Sequence, residues 1–89
     1  MGGARLQFLS AALSVVVPTL DEAEALPATL AAARQPGVRE VIVVDGGSRD
    51  GTLAVARPLA DRVLQAPRGR ARQMNAGAAA AREIGRAHV

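Results

Sequence analysis

Apolar residues in this chain gather in runs rather than alternating with polar ones. Leu13–Val17 is Val-rich and stops at Pro18, Glu40–Val44 ends against Asp45, and RVLQA at Arg62–Ala66 is a weaker third run. Continuous short runs of this kind are read as strands buried on both faces, as in parallel sheets. Between the first two runs, Asp21, Glu22 and Glu24 precede ALPATLAAA, where Leu26, Leu30 and Ala33 recur at helical spacing. That predicts a helix over about 24–33 with Pro27 in its first turn, ended by QPG at 35–37. After the second run, Ser48 or Asp50 can cap a short helix from Gly51 to about Arg57, which Pro58 ends or kinks. PRGR reads as a loop, and the Ala-rich stretch Arg70–Arg82 as a third helix weakened by Asn75 and Gly77. The order β-α-β-α-β-α predicts an α/β fold, three parallel strands alternating with helices in a sheet short of its full complement.

Composition narrows this picture. The chain has 89 residues, enough for one small domain, and its 49% apolar content is mostly Ala, Val and Leu, with Phe8 as the single aromatic residue. Small side chains bury little area each, so the expected core is thin. There is no cysteine, which excludes a disulfide scaffold, a thiolate metal site and a Cys nucleophile. All eleven basic residues are Arg, and the net charge of +3 owes much to Arg68, Arg70, Arg72, Arg82 and Arg86. A basic end of this kind suits phosphate. With one aromatic residue, base stacking on single-stranded nucleic acid is poorly served, so no nucleic-acid partner is expected.

The ends carry two further expectations. ARLQFLSAALSVVV faintly resembles a leader, but Gln7 and Ser10 interrupt it and no small-residue cleavage site follows before Pro18. It is also too short and interrupted for a membrane span, so no membrane segment is expected. MGGARL lacks the Ser or Thr of a myristoylation site. EIGRAHV at Glu83–Val89 breaks from the preceding composition. It can be encoded by GAG ATC GGA AGA GCA CAC GTC, which contains the start of a widely used sequencing adapter, and a read-through artefact is expected there. The implied division is an extension over 1–12, the domain part over 13–82 and the tail over 83–89. His88 lies in that tail and takes no role.

Ligands of open parallel sheets bind at the carboxyl ends of the strands. The two loops that leave such ends, PTLDEAEA and DGGSRDGT, are both acidic. A dinucleotide site would need a glycine-rich loop after the first strand, where Asp21, Glu22 and Glu24 would instead repel pyrophosphate. Acids can accept hydrogen bonds from a base N–H or from ribose hydroxyls, and Gly46 and Gly47 would allow close approach or positive φ. Equally, Asp45 and Ser48 can simply build the turn while Asp50 caps the helix. Ligand contact is favoured for Asp45, and the turn-and-cap role for Asp50, Gly51 and Thr52. DGGSRDG is no EF-hand loop, since Gly47 and Arg49 fall on ligand positions. In RGRARQMNAG, Arg68, Arg70 and Arg72 can grip phosphate or form a solvated face, and Asn75 with Gly77 can mark a ligand contact or helix packing.

Taken in order and spacing, LSVVVPTLDEAEALPATL, EVIVVDGGSRDGT and GRARQMNAGA resemble the start of a family-2 glycosyltransferase, over about Leu13–Arg82. The Asp-Gly-Gly-Ser form with GRARQMNAGA is most similar to a bacterial subgroup of selenium/radical-SAM-domain-associated transferases. The resemblance implies a GT-A, Rossmann-like nucleotide-sugar-binding half. It implies that Pro18, Thr19 and Glu22 belong to the first nucleotide-contacting loop, with Asp21 in place of a more usual Asn. It likewise implies that Asp45 contacts the base, typically uracil N3–H, that Gly46 and Ser48 share that loop, and that Gly69, Arg70, Asn75 and Gly77 lie beside the donor nucleotide. A UDP-sugar donor is favoured, and the acceptor is unknown.

The family's paired-acid metal motif and its catalytic base fall on segments beyond this chain. A divalent cation, Mg2+ or Mn2+, is therefore expected for the intact enzyme only, and no catalytic or metal residue is assigned here. The intact protein would invert at the sugar, and this fragment would be inactive and marginally folded. The family's sheet sets its fourth strand beside the first, which implies an open apolar edge along Leu13–Val17. The expected location is the cytoplasm or the inner face of the membrane. A nucleotidyltransferase, a small non-enzymatic nucleotide-binding module and a basic nucleic-acid binder remain the rival readings.

Overall fold

The computed structural model describes residues 7–8 and 14–87. Its elements are β1 (Gln7–Phe8), β2 (Ser14–Thr19), α1 (Leu26–Ala33), β3 (Glu40–Asp45), α2 (Thr52–Leu59), β4 (Arg62–Gln65) and α3 (Arg70–Ala87). The leader-like run is otherwise outside the described residues, as is His88.

The three apolar runs form adjacent parallel strands in the order β2-β3-β4, with Val15 opposite Val41 and Val43 opposite Val63. Successive side chains of a strand point to opposite faces, so Val15, Val17, Val41 and Val43 share one face while Val16, Ile42 and Val44 share the other. On the first face, Leu26, Leu30 and Ala33 of α1 and Ala56 of α2 cover the valines. On the second, α3 lies across the sheet through Ala80 and Ala81, with Leu64, Met74 and Ala76 around them. Burial on both faces is the reason the strands read as continuous apolar runs rather than as an alternation.

Several boundaries differ from the sequence expectation. β2 continues through Pro18 to Thr19. The Thr19 carbonyl accepts from the Gly46 amide at 3.0 Å, so odd-numbered residues of β2 turn their backbone toward β3. Pro18, which lacks an N–H, therefore faces away from that ladder, where a strand proline is tolerated. α1 starts at Leu26 instead of near Glu24, with residues 23–25 in a turn closed by the Leu26 amide on the Glu22 carbonyl at 2.9 Å. α2 passes Pro58 and ends at Leu59, the missing N–H falling in its last turn, where Ala60 N–H still reaches the Ala56 carbonyl at 2.8 Å. α3 runs past Arg82 to Ala87 through residue types that favour a helix, Gly85 aside.

The edge of β2 is also not bare. β1 pairs with it antiparallel, Gln7 opposite Val16 and Phe8 opposite Val15, which occupies part of the edge expected to be open. Among the described residues, this pairing covers two of the six residues of β2. At the other end of the sheet, Asp61 accepts from the buried start of β3, Val41 N–H at 2.7 Å, and from Arg34 Nη1 at 2.6 Å. Arg34 Nη2 donates in turn to the Leu59 carbonyl at 2.9 Å, tying the end of α1 to the α2–β4 turn. Burial pushes the Asp61 carboxyl up, but the Val41 amide and the Arg34 guanidinium outweigh it and hold it below the ordinary carboxylate value.

Candidate functional site

The carboxyl ends of β2 and β3 are joined by side chains before any ligand is considered. Asp45, the last residue of β3, is 0% exposed. Its Oδ1 accepts from Thr19 Oγ1 at 2.9 Å and from Ser48 Oγ at 2.5 Å. Its Oδ2 accepts from Gly47 N–H at 3.0 Å and from Ser48 N–H at 2.7 Å. A carboxylate has about four lone-pair sites, and these four donors fill them. Burial raises the Asp45 pKa, yet the hydrogen bonds from Ser48, Thr19 and Gly47 more than offset it, and the group lies below its ordinary value. Asp45 is thus held ionised as the centre of a turn.

Two hydroxyl relays link this turn to the loop after β2. Asp21 N–H donates to Ser48 Oγ at 2.8 Å, and that hydroxyl donates onward to Asp45. Glu22 N–H donates to Thr52 Oγ1 at 2.9 Å, and that hydroxyl donates onward to Asp50 Oδ1. Only a side chain that both accepts and donates can serve in such a place, which explains Ser and Thr at these positions. Asp50 also accepts from Thr52 N–H at 2.9 Å and Ala23 N–H at 3.3 Å. The Thr52 hydroxyl chiefly, with these amides, holds the Asp50 carboxyl below its usual range. Asp21 completes the zipper by accepting from Arg49 N–H at 2.7 Å, and does so with φ of 52°. Asn and Asp are the non-glycine residues that enter this left-handed region most readily, so an acid replacing Asn at Asp21 keeps the conformation.

Glu22 differs from its neighbours. It is half-buried, and its carboxylate accepts no hydrogen bond among the described residues. Burial pushes its pKa up, and the nearby charges of Asp45 and Asp50 push it further in the same direction.

Beneath the loops sits Gln73 of α3, 4% exposed. Its Nε2 donates to the Thr19 carbonyl at 2.9 Å and the Val44 carbonyl at 2.8 Å, while its Oε1 accepts from Gly69 N–H at 3.1 Å. Gln73 N–H closes the first turn of α3 on the Gly69 carbonyl at 2.9 Å. The Gln73 side chain thus caps Gly69 N–H as the Glu or Gln of a capping box does, displaced by one residue, and Gln73 N–H makes the first ordinary helical bond. Gly46 lies against this amide: a Cβ there would fall 2.7 Å from Gln73 Oε1. Gly69, with φ of 139°, adopts a backbone conformation that side chains disfavour, and Arg68, Arg70 and Arg72 around it are exposed.

Set against known proteins, residues 14–83 match the family model described as glycosyl transferase family 2, a span that takes in both acidic loops and the Gln73 segment. The chain belongs to glycosyl transferase family 2. No curated protein and no solved structure matches it.

In this glycosyltransferase chain, Thr19, Asp45, Gly46 and Ser48 come together as one bonded cluster, with Pro18 just below it on β2 and Glu22 on the facing loop. Gly69 is joined to the cluster's underside through Gln73, while Arg70 beside it is exposed and bonded to none of these residues. Asn75 and Gly77 do not join it. Gln73, Gly77, Ala80 and Ala81 are buried on one face of α3, and Asn75, roughly half a turn away from that face, is exposed. A Cβ on Gly77 would overlap Val16 Cγ1 outright and fall 2.9 Å from Cγ2, so the glycine lets α3 approach β2 closely. Gln73 itself was not singled out from sequence, nor was the cross-loop role of Asp50 and Thr52. The available signal for Gln73 was its place four residues before Gly77, on the helix face that the alanines mark as buried.

Among the described residues, no three His, Cys, Asp or Glu side chains could hold a metal ion together, so no ligand set for a cation is assigned within them. No helix among the described residues is long and apolar enough to cross a membrane.

Proposed function

We propose that the chain forms the nucleoside-binding half of a nucleotide-sugar donor site, with a UDP-sugar as the favoured donor. The reading takes it as the N-terminal part of a GT-A domain, nearest the selenium/radical-SAM-associated subgroup. The observation that carries it is Glu22, a half-buried carboxylate with no hydrogen-bond partner among the described residues, beside two acids whose acceptors are engaged. Such a group can accept from a ribose hydroxyl or a base N–H at the carboxyl ends of the strands. Asp45 shapes the loop in this reading, and it would meet a base directly only if the Thr19 or Ser48 hydroxyl rotated off Oδ1. The exposed arginines at the start of α3 supply the charge for the diphosphate.

In the intact enzyme an acceptor hydroxyl attacks the sugar's anomeric carbon, the bond to the nucleoside diphosphate breaks, and the configuration inverts. The base that takes the hydroxyl proton is assigned to segments outside this chain. A divalent cation, Mg2+ or Mn2+, is assigned to the same segments. Calorimetric titration of UDP and GDP against the chain tests the donor reading. UDP is expected to bind more tightly than GDP, and Glu22→Ala to weaken UDP about tenfold without lowering the melting temperature. Failure of both nucleotides to bind, or unchanged UDP affinity in Glu22→Ala, would refute it.

A further inference from the structure

We infer that Gln73 is a positioning residue of the donor site: it holds the arginine-bearing turn around Gly69 at a fixed place over the carboxyl ends of β2 and β3. The inference rests on the donor reading above and adds to it the part that recognises phosphate.

Three observations converge on this side chain. Its amide is fully used, both Nε2 hydrogens on strand-end carbonyls and Oε1 on Gly69 N–H. Among the described residues it makes the only side-chain hydrogen bond to the turn that carries Arg68 and Arg70. Gly46 leaves it a seat that a Cβ would crowd. Holding α3 to the sheet does not require it, since Gly77, Ala80 and Ala81 already pack there. Its chemistry is also specific. Two carbonyl acceptors and one N–H donor demand an amide, because a carboxylate would face two carbonyl oxygens and an apolar chain would leave Gly69 N–H unmet.

Gln73 is buried beneath the loops, so it acts through the turn and not on the ligand. Fixing the backbone between Arg68 and Arg70 removes part of the ordering cost that two long side chains meet when they close on a phosphate. A nucleoside without phosphate makes no use of those arginines. Losing Gln73 should therefore weaken nucleotide binding selectively in its phosphate part, a split that general loss of structure would not produce.

The test compares the 89-residue chain with Gln73→Met, which keeps length and volume but removes every hydrogen bond of the amide. Uridine and UDP affinities are measured by calorimetry, and exchange of the Gly69 amide by NMR. The expected result is uridine affinity within about twofold of wild type, UDP affinity lower by about tenfold, and Gly69 exchange faster by a similar factor. Equal losses for uridine and UDP, or no loss for UDP, would overturn the positioning role. If the unsubstituted chain binds neither ligand, the donor reading falls. Gly69 exchange then decides the tether by itself, and unchanged exchange in Gln73→Met overturns it. Should Gln73→Met fail to fold, Gly46→Ala crowds the same flexible amide from the opposite side and is read by the same exchange measurement, faster exchange supporting the tether and unchanged exchange overturning it.

Discussion

Gly77 offers the sharpest check on how α3 is seated. An alanine there would ordinarily help, since replacing glycine in a helix interior stabilises by about 1 kcal/mol. Here the new Cβ would overlap Val16 Cγ1, fall 2.9 Å from Cγ2 and 3.2 Å from Cβ, against an ordinary carbon contact near 3.5–4.0 Å. Val16 is 0% exposed. Two of its three staggered positions face the helix, and its two methyls must fill at least one of them whatever rotamer it takes. The helix itself must therefore move, and overpacking of this kind costs about 1–3 kcal/mol. The net expectation for Gly77→Ala is a loss of up to about 2 kcal/mol. Removing the obstacle reverses the sign. Val16→Ala alone costs about 2 kcal/mol for two buried methyls and the space they leave. In that background only the 3.2 Å contact remains, and Gly77→Ala should stabilise by up to about 1 kcal/mol. The coupling in this double-mutant cycle is thus about 1–3 kcal/mol in favour of the double variant. Urea unfolding followed by helical circular dichroism measures it, the chain having no Trp or Tyr to report by fluorescence. If Gly77→Ala stabilises the native background, or acts equally in both, the close approach of α3 to β2 is wrong.

Two further outcomes follow from the loops. Asp21→Asn should leave stability within about 0.5 kcal/mol, since Asn tolerates φ of 52° and keeps the acceptor for Arg49 N–H, whereas Asp21→Val should lose about 1–2 kcal/mol in the same unfolding assay. The carboxyls also divide by sign. Asp45, Asp50 and Asp61 are lowered on folding, so their contribution is present above the unfolded carboxylate pKa and is lost as pH falls through their lowered folded values. Glu22 is raised, so its contribution is fully present below its unfolded pKa and is lost as pH rises through its folded value. Melting curves against pH should show acid unfolding that is blunted in Asp45→Asn, and Glu22→Gln should melt higher than wild type at about pH 7. A Glu22→Gln chain that melts lower there would mean the carboxylate has a partner.

The α/β order was legible because strands buried on both faces leave runs that no amphipathic helix produces, and because Pro, Gly and acids punctuate them. Boundaries were less so. Pro18 looked like a strand end because a sequence does not say which way a strand turns its N–H, and β1 is two residues long in a stretch that reads as a leader. Within the site, Asp45 and Ser48 were visible as a strand-end cluster, but the number of donors aimed at one carboxylate is a property of packing. Asp50 and Thr52 read as a helix cap, but the N-cap of α2 is Gly51 with no side-chain cap bond, and Asp50 meets Thr52 N–H from one residue earlier. Their bonds to Glu22 and Ala23 join residues far apart in the chain and leave no local pattern. Gln73 was hidden for the opposite reason, one of several polar residues at the start of an Ala-rich helix, and its partners are main-chain atoms.

The division of acceptors bears on how a nucleotide would lie. Asp45 and Asp50 are consumed in holding two loops together, so the site is organised in advance at the cost of its most obvious acids. Their charges remain, and they act on Glu22 by raising its pKa. A phosphate brought to this place would meet the same repulsion. A polarised N–H or hydroxyl would instead relieve it, since each brings positive charge toward three crowded carboxylates. On the far side of Gln73 the sign changes, with exposed arginines on either side of Gly69. A nucleotide bound as proposed would therefore be oriented by charge, its nucleoside over Glu22 and its phosphates toward α3, with Gln73 bonded to the ends of β2 and β3 and to the turn at Gly69. In that reading the spacing of nucleoside and phosphate contacts would be held by an amide that touches neither part of the ligand.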